Sequence, residues 1–190
     1  TRNAKLLPEV WARIKRDYAA IRKKTRETHA GFPYDAIERS AFDVSDEERH
    51  QIYEELWAEG GFKFLWGSFS DLLRDKRANH TAAEFIRSEI RQIVKDPATA
   101  EKLCPTDHPY GSKRPPIDTD YFVTFNRDNV SLVDIRSSPI VEITPEGIRT
   151  EDATYELDTI VFATGFDAMT GSLLKIDIRG VGGLRPGEKW

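Results

Sequence analysis

Apolar positions along the first hundred residues recur at helical spacing. Leu7, Val10, Ile14, Tyr18 and Ile21 follow one another at steps of three and four, which places them on one helical face. Gly31 and Pro33 end that segment. Ser45-Asp-Glu-Glu48 reads as a capping box ahead of a helix carrying Ile52, Tyr53 and Leu56, and Gly60-Gly61 supplies a left-handed stop. Phe62, Phe64, Leu65, Trp66, Phe69, Leu72 and Leu73 form a dense apolar stretch that reads as core, with a substrate-cavity lining as the alternative. Thr81-Ala-Ala-Glu84 reads as a second capping box, Phe85, Ile86, Ile90, Ile93 and Val94 as the stripe behind it, and Asp96-Pro97 as its close. Residues 1–96 are thus expected to be helical.

The period then changes. Asn129–Ile135 and Ile140–Thr144 look like strands, Pro145-Glu-Gly147 like a turn, and Ile148–Thr150 and Thr154–Leu157 like the continuation of an antiparallel meander. Thr159–Ala163 (TIVFA), ending in Thr164-Gly165, reads as a buried parallel strand. The expected class is α/β: a helical insertion, then a β-meander and a parallel strand.

Charge follows the same division. Residues 1–100 hold 18 basic and 17 acidic side chains, and residues 101–190 hold 10 and 15, for a total of −4. That balance speaks against nucleic-acid binding. No apolar run approaches the ~18 residues of a membrane-spanning helix, and a cytoplasmic protein is expected. The basic face of the first helix, from Arg13 to Arg26, reads as solvated, with a docking surface as the alternative. Cys104 is the single cysteine, so neither an intrachain disulfide nor a cysteine zinc site can form. His29, His50, His80 and His108 lack metal-binding spacing, and no metal site is expected. There is no GxSxG elbow and no phosphate-binding P-loop. Gly180, Gly182 and Gly183 fail the GxGxxG pattern because the last position is Arg185.

Two features can carry chemistry. Gly111-Ser-Lys-Arg-Pro115 places two adjacent cations in a proline-stiffened loop, suited to an anion or to ordinary exposure. Ala163-Thr-Gly-Phe-Asp167 stands at an expected strand end, where glycine lets a flat ligand or a phosphate approach the backbone. Asp118 and Asp120 read as caps or surface charges, Asp167 as a turn tie and Met169 as packing.

Read as longer blocks, GSKRPPIDTDYFVTFNRDNVSLVD, ELDTIVFATGFDAMTG and KIDIRGVGG, with GSFSDLLRDKRANHTAAEFIRSEIRQIVKDP before them, the chain resembles the Baeyer–Villiger monooxygenases of the phenylacetone and cyclohexanone monooxygenase type. The resemblance implies an FAD- and NADPH-dependent enzyme with two dinucleotide-binding domains, converting ketones to esters or lactones with dioxygen through a C4a-peroxyflavin. It implies a catalytic Arg114, whose fixed charge suits an oxyanion. It implies cofactor binding by Lys113 and Arg114, by Ala163, Thr164 and Gly165, and by Trp190 on a mobile loop, with Lys113 near the 2′-phosphate of NADP. On that map residues 1–100 are the helical insertion of the NADP domain, residues 101–160 its C-terminal part, and residues 161–190 the return into the FAD domain. Both GxGxxG motifs and the FxGxxxHxxxWP fingerprint of the family are absent, as is an active-site aspartate from its N-terminal part. The chain is therefore expected to be an internal fragment, inactive alone. An N- or S-oxidising class B flavoprotein monooxygenase and a non-catalytic helical binding module are the alternatives. The particular ketone and the oligomeric state are not legible.

Overall fold

The computed structural model describes residues 5–28, 30–165 and 170–189. The chain forms two compact units, residues 1–133 and 134–190.

The first unit is helical. It comprises α1 (Pro8–Arg16), α2 (Tyr18–Glu27), α3 (Asp46–Glu59), α4 (Lys63–Trp66), α5 (Lys76–Ile93), α6 (Pro97–Leu103) and α7 (Tyr121–Thr124). The single helix expected over the N-terminal segment is two, divided at Asp17, and neither contains a buried residue. Ser45 caps α3, its hydroxyl accepting the Glu48 N–H at 3.1 Å. Glu48 does not close the box, because its carboxylate accepts from Arg39 instead at 3.0 Å. Gly60 and Gly61 end α3 at φ 77° and 63°, conformations that a side chain would strain.

The second capping box is not one. Asp75 starts α5, accepting from the N–H groups of Arg77 (2.7 Å) and Ala78 (3.2 Å). Thr81 therefore lies inside the helix, its hydroxyl bonded to the Ala78 carbonyl and 2.8 Å from Tyr53 Oη. Likewise Asp96-Pro97 opens α6, with Pro97 at its first turn and the Asp96 carboxylate accepting the Thr99 N–H at 2.8 Å.

Two apolar clusters fill this unit. The larger joins Tyr53, Leu56, Phe64, Leu65, Phe69, Leu72, Ala78, Ala82 and Phe85, so the aromatic-rich stretch is core as expected, although Leu73 stays exposed. Tyr53, Phe64 and Phe85 meet with ring centroids 5.3–5.5 Å apart, within the range of favourable aromatic pairing. The smaller cluster joins Ile90, Val94, Ala100 and Cys104, with Phe122 and Phe125 packed against it. Asn126 locks that contact, donating to the Ile93 carbonyl (2.7 Å) and accepting the Lys95 N–H (2.8 Å) at the end of α5.

The second unit holds a three-stranded antiparallel sheet in the order β1 (Ile140–Thr144), β2 (Gly147–Thr150), β3 (Thr154–Glu156). Short helices α8 (Gly171–Leu174) and α9 (Pro186–Lys189) follow. The meander stands where the sequence puts it, and the mixture of helices with a small sheet keeps the α/β class. At Gly147, an added Cβ would lie 2.0 Å from the Tyr155 carbonyl oxygen, so no side chain fits. Two expected strands are absent. Residues 129–135 run as turns and irregular chain, and residues 159–163 join no ladder. Val161 and Phe162 are 84% and 68% exposed rather than buried. A β-branched run becomes a strand only beside a partner for its N–H and C=O groups, and β1, β2 and β3 are the whole sheet among the described residues.

Candidate functional site

The Lys-Arg loop is fastened to the larger cluster by its backbone. Asn79, buried in α5, donates through Nδ2 to the carbonyls of Leu72 (3.1 Å) and Tyr110 (2.8 Å), and its Oδ1 accepts the Tyr110 N–H at 3.0 Å. An asparagine is disfavoured inside a helix, and here it serves as a staple between α5 and the loop. The Tyr110 ring packs on Phe64, with centroids 5.6 Å apart, and burial pushes its phenol well above the usual tyrosine range. Gly111 follows at φ 79°, where an added Cβ would meet Leu65 and Leu73 methyl carbons at 2.8 Å each. Ser112 closes the turn, its N–H and hydroxyl both donating to the Pro109 carbonyl (3.2 and 2.7 Å).

Lys113 and Arg114 leave this turn exposed. Lys113 Nζ lies 3.8 Å from Asp107 Oδ2, a loose pair that screens its charge without fixing it. Asp107 Oδ1 also lies 2.5 Å from His108 Nδ1. Arg114 makes no ion pair among the described residues, and its guanidinium carbon stands 5.0 Å from the Phe62 ring centroid. Asp118 accepts the Tyr121 N–H at 2.7 Å, at the start of α7, whose cap residue is Asp120. Asp120 is the one non-glycine residue with positive φ (62°) among the described residues, and it has no side-chain cap bond to α7.

Ala163, Thr164 and Gly165 are exposed and lie in the second unit. Gly165 has φ 77°, which calls for glycine, and an added Cβ there would meet nothing within 4 Å among the described residues. Asp167, Met169, Trp190 and His29 lie outside the described residues. Thus the structure brings Lys113 and Arg114 together on one anchored loop, and it describes Ala163–Gly165 within the other unit. The sequence reading missed Asn79 and the pairing of Arg114 with Phe62. Asn79 had a legible signal, a polar residue on the apolar stripe of α5, whereas Phe62 had none, because it is distant from Arg114 along the chain. No group of three or more metal-ligating side chains occurs among the described residues, and no helix among them is long and apolar enough to cross a membrane.

No family model matches the chain. Individual proteins do. A 2-oxo-Δ3-4,5,5-trimethylcyclopentenylacetyl-CoA monooxygenase of Pseudomonas putida is 48% identical over 188 residues, 99% of this chain and 34% of that protein. A phenazine N-monooxygenase of Lysobacter antibioticus is 44% identical over 94% of this chain and 33% of that protein. A crystal structure of OTEMO in complex with FAD and NADP superimposes with a TM-score of 0.93 at 47% identity, covering 98% of this chain and 34% of that one. Both the sequence and the fold therefore make the chain a homologue of a segment of the Baeyer–Villiger monooxygenases. It spans about a third of the length of the curated relatives it matches.

Proposed function

We propose that the chain is part of a flavin-dependent Baeyer–Villiger monooxygenase that converts ketones to esters or lactones with NADPH and dioxygen, and that it is inactive by itself. The supporting observation is the 48% identity over 188 residues, 99% of the chain. Residues 1–100 are read as the helical insertion of the NADP domain, residues 101–160 as its C-terminal part and residues 161–190 as the return into the FAD domain. A cytoplasmic location belongs to the same reading.

The residues present fit such cofactors. Two exposed cations on a loop whose backbone is already fixed suit the phosphates of NADP, since only their side chains, and not the loop, remain to be ordered on binding. The space beside Gly165, open among the described residues, suits a flat ring system or a phosphate close to the backbone of Ala163, Thr164 and Gly165. When bound, FAD supplies the oxygen chemistry and NADPH the hydride. Lys113 would hold the 2′-phosphate, and Trp190, outside the described residues, would be a further contact to NADP. Arg114 binds and stabilises negative charge on the substrate oxygen; its guanidinium stays protonated where a lysine would lose its proton on desolvation.

A second reading, oxidation at nitrogen or sulfur, is favoured by the 44% identity to a phenazine N-monooxygenase. The test is the natural gene product, purified and assayed for flavin absorbance and for oxygenation of a ketone, a thioether and an aromatic N-heterocycle. Ester formation with NADPH is the expected result. N-oxide as the sole product would establish the second reading, and the absence of flavin and of any oxygenation would leave a binding module. In that same protein Lys113→Ala is expected to weaken NADPH far more than NADH, read as separate KM values; equal losses would remove Lys113 from the 2′-phosphate.

A further inference from the structure

Among the described residues Arg114, like Lys15, Arg22 and Arg77, has a ring face and no ion pair as its partner, and it alone of the four lies on the Lys-Arg loop. Both partners are fixed before they meet. Phe62 follows the Gly60-Gly61 turn and is the cap residue of α4, its carbonyl accepting the N–H groups of Leu65 (3.2 Å) and Trp66 (3.0 Å). Its ring is backed by Phe32, with centroids 5.2 Å apart, and Phe32 stacks in turn on Trp66 at 6.4 Å. The Phe32 carbonyl is itself held by the Thr28 hydroxyl at 2.6 Å. Arg114 is brought to the same place by a second segment, which the Asn79 staple and the Gly111 turn fasten to the larger cluster. Two segments distant in sequence are thus anchored on one core so that a guanidinium lies over an aromatic platform.

The chemical consequence follows from what a ring does not do. A carboxylate partner would neutralise the guanidinium and occupy two of its five N–H donors. A ring holds the cation through its face, leaves the charge whole, and leaves the donors at the guanidinium edge free. We infer that Phe62 is the positioning residue for Arg114, setting the direction of its free N–H fork toward an anionic oxygen. This inference rests on the assignment of Arg114 above, and it adds the element that orients it.

The test uses the full-length enzyme with FAD bound, comparing Phe62→Leu, Phe62→Tyr and Arg114→Ala. Phe62→Leu keeps an apolar side chain of similar bulk and removes the ring face. It is expected to lower kcat for ester formation about three- to thirty-fold, the range that a cation–ring contact of this kind converts to. The KM for NADPH is expected to stay unchanged, and NADPH oxidation to continue with release of hydrogen peroxide. Because a well-aimed Arg114 favours the deprotonated form of the oxygen it faces, the acidic limb of the ester-forming pH profile moves to higher pH in Phe62→Leu. Phe62→Tyr, which restores the ring, is expected to restore rate and profile. Equal losses in Phe62→Leu and Phe62→Tyr, or a lower rate with an unmoved acidic limb, would reduce Phe62 to packing and overturn the inference. Full activity in Phe62→Leu alongside an inactive Arg114→Ala would also overturn it while leaving the role of Arg114 intact. Normal ester formation by Arg114→Ala would instead overturn the role of Arg114 itself. If Phe62→Leu does not retain flavin, Phe62→Met takes its place.

Discussion

The two units differ in where their apolar side chains go. All fourteen buried apolar residues among those described, from Ala41 to Cys104, belong to residues 1–133. Of the 22 exposed large apolar residues among those described, thirteen fall within the shorter unit, from Ile135 to Leu184. What the second unit has instead is a hydrogen-bond framework. Ser138 Oγ donates to Thr150 Oγ1 (3.0 Å), the Thr150 N–H to the Ala153 carbonyl (2.8 Å), and Arg149 pairs with Glu142 across the strands at 3.1 Å. Such bonds fix register but give little net stability, because the unfolded chain makes equivalent bonds to water. A three-stranded sheet holds firmly only when one face is packed. Register and stability are thus supplied by different interactions, and the second unit is rich in the first kind only.

This contrast predicts opposite responses to the same mutation. Phe64→Ala removes a ring shared by Tyr53, Trp57, Phe85 and Tyr110, and is expected to cost about 3–5 kcal/mol. Phe162→Ala, at an exposed site, is expected to cost less than about 0.5 kcal/mol. Urea unfolding followed by tryptophan fluorescence compares them, and similar costs would show that residue 162 is packed after all. Amide exchange sharpens the same point: α5 should exchange near the global unfolding limit, and residues 159–165 close to freely.

A smaller effect tests the staple. Asn79→Ala leaves the Tyr110 N–H and the carbonyls of Leu72 and Tyr110 without their partner, and is expected to cost about 1–3 kcal/mol. Amide exchange in residues 109–114 should rise with it, whereas the meander should be unaffected. Equal loosening of both regions would mean that the fastening of the loop is not local.

The smallest expected effect is on pH. Arg91 grips Glu101 with two bonds (2.6 and 3.1 Å) and holds its carboxyl below the usual range; Thr99, through its side chain and then its backbone, does the same for Asp96. Folded values below the unfolded ones mean that this contribution is complete above the ordinary carboxylate range of about 4. It is lost as pH falls through the folded values. On acidification α6 should therefore fray before α3, as read by residue-specific exchange. Simultaneous loss of the two helices would exclude these carboxylates as the cause.

Local signals were legible wherever the chain closes on itself. The Ser45 cap, the Gly60-Gly61 stop and the Pro145-Glu146 hairpin turn were all readable, because their partners lie within a few residues. The same short motif misled at Thr81-Ala-Ala-Glu84, where Asp75 offers an earlier cap and the helix simply runs through. Residues 129–135 and 159–163 misled for the converse reason: β-branched composition records a preference, and a strand also needs a neighbour. In the candidate site, the Lys113–Arg114 pair was readable as chemistry. Its support divides: Asn79 showed as a polar residue on the apolar stripe of α5, although its partner did not, and the approach of Phe62 is a matter of tertiary contact with no local signal.

The fastening of the Lys-Arg loop bears on how this protein can evolve. Asn79 grips the main chain at Tyr110, and Gly111 fits between Leu65 and Leu73, so the shape of the loop is set before the chain reaches residue 113. Lys113 itself projects with about two-thirds of its side chain exposed. Substitutions there leave the fold untouched and change only what the loop attracts. On the proposed role of Lys113 at the 2′-phosphate, a lineage could thus exchange one cofactor preference for another at this position through single steps, each with a folded intermediate.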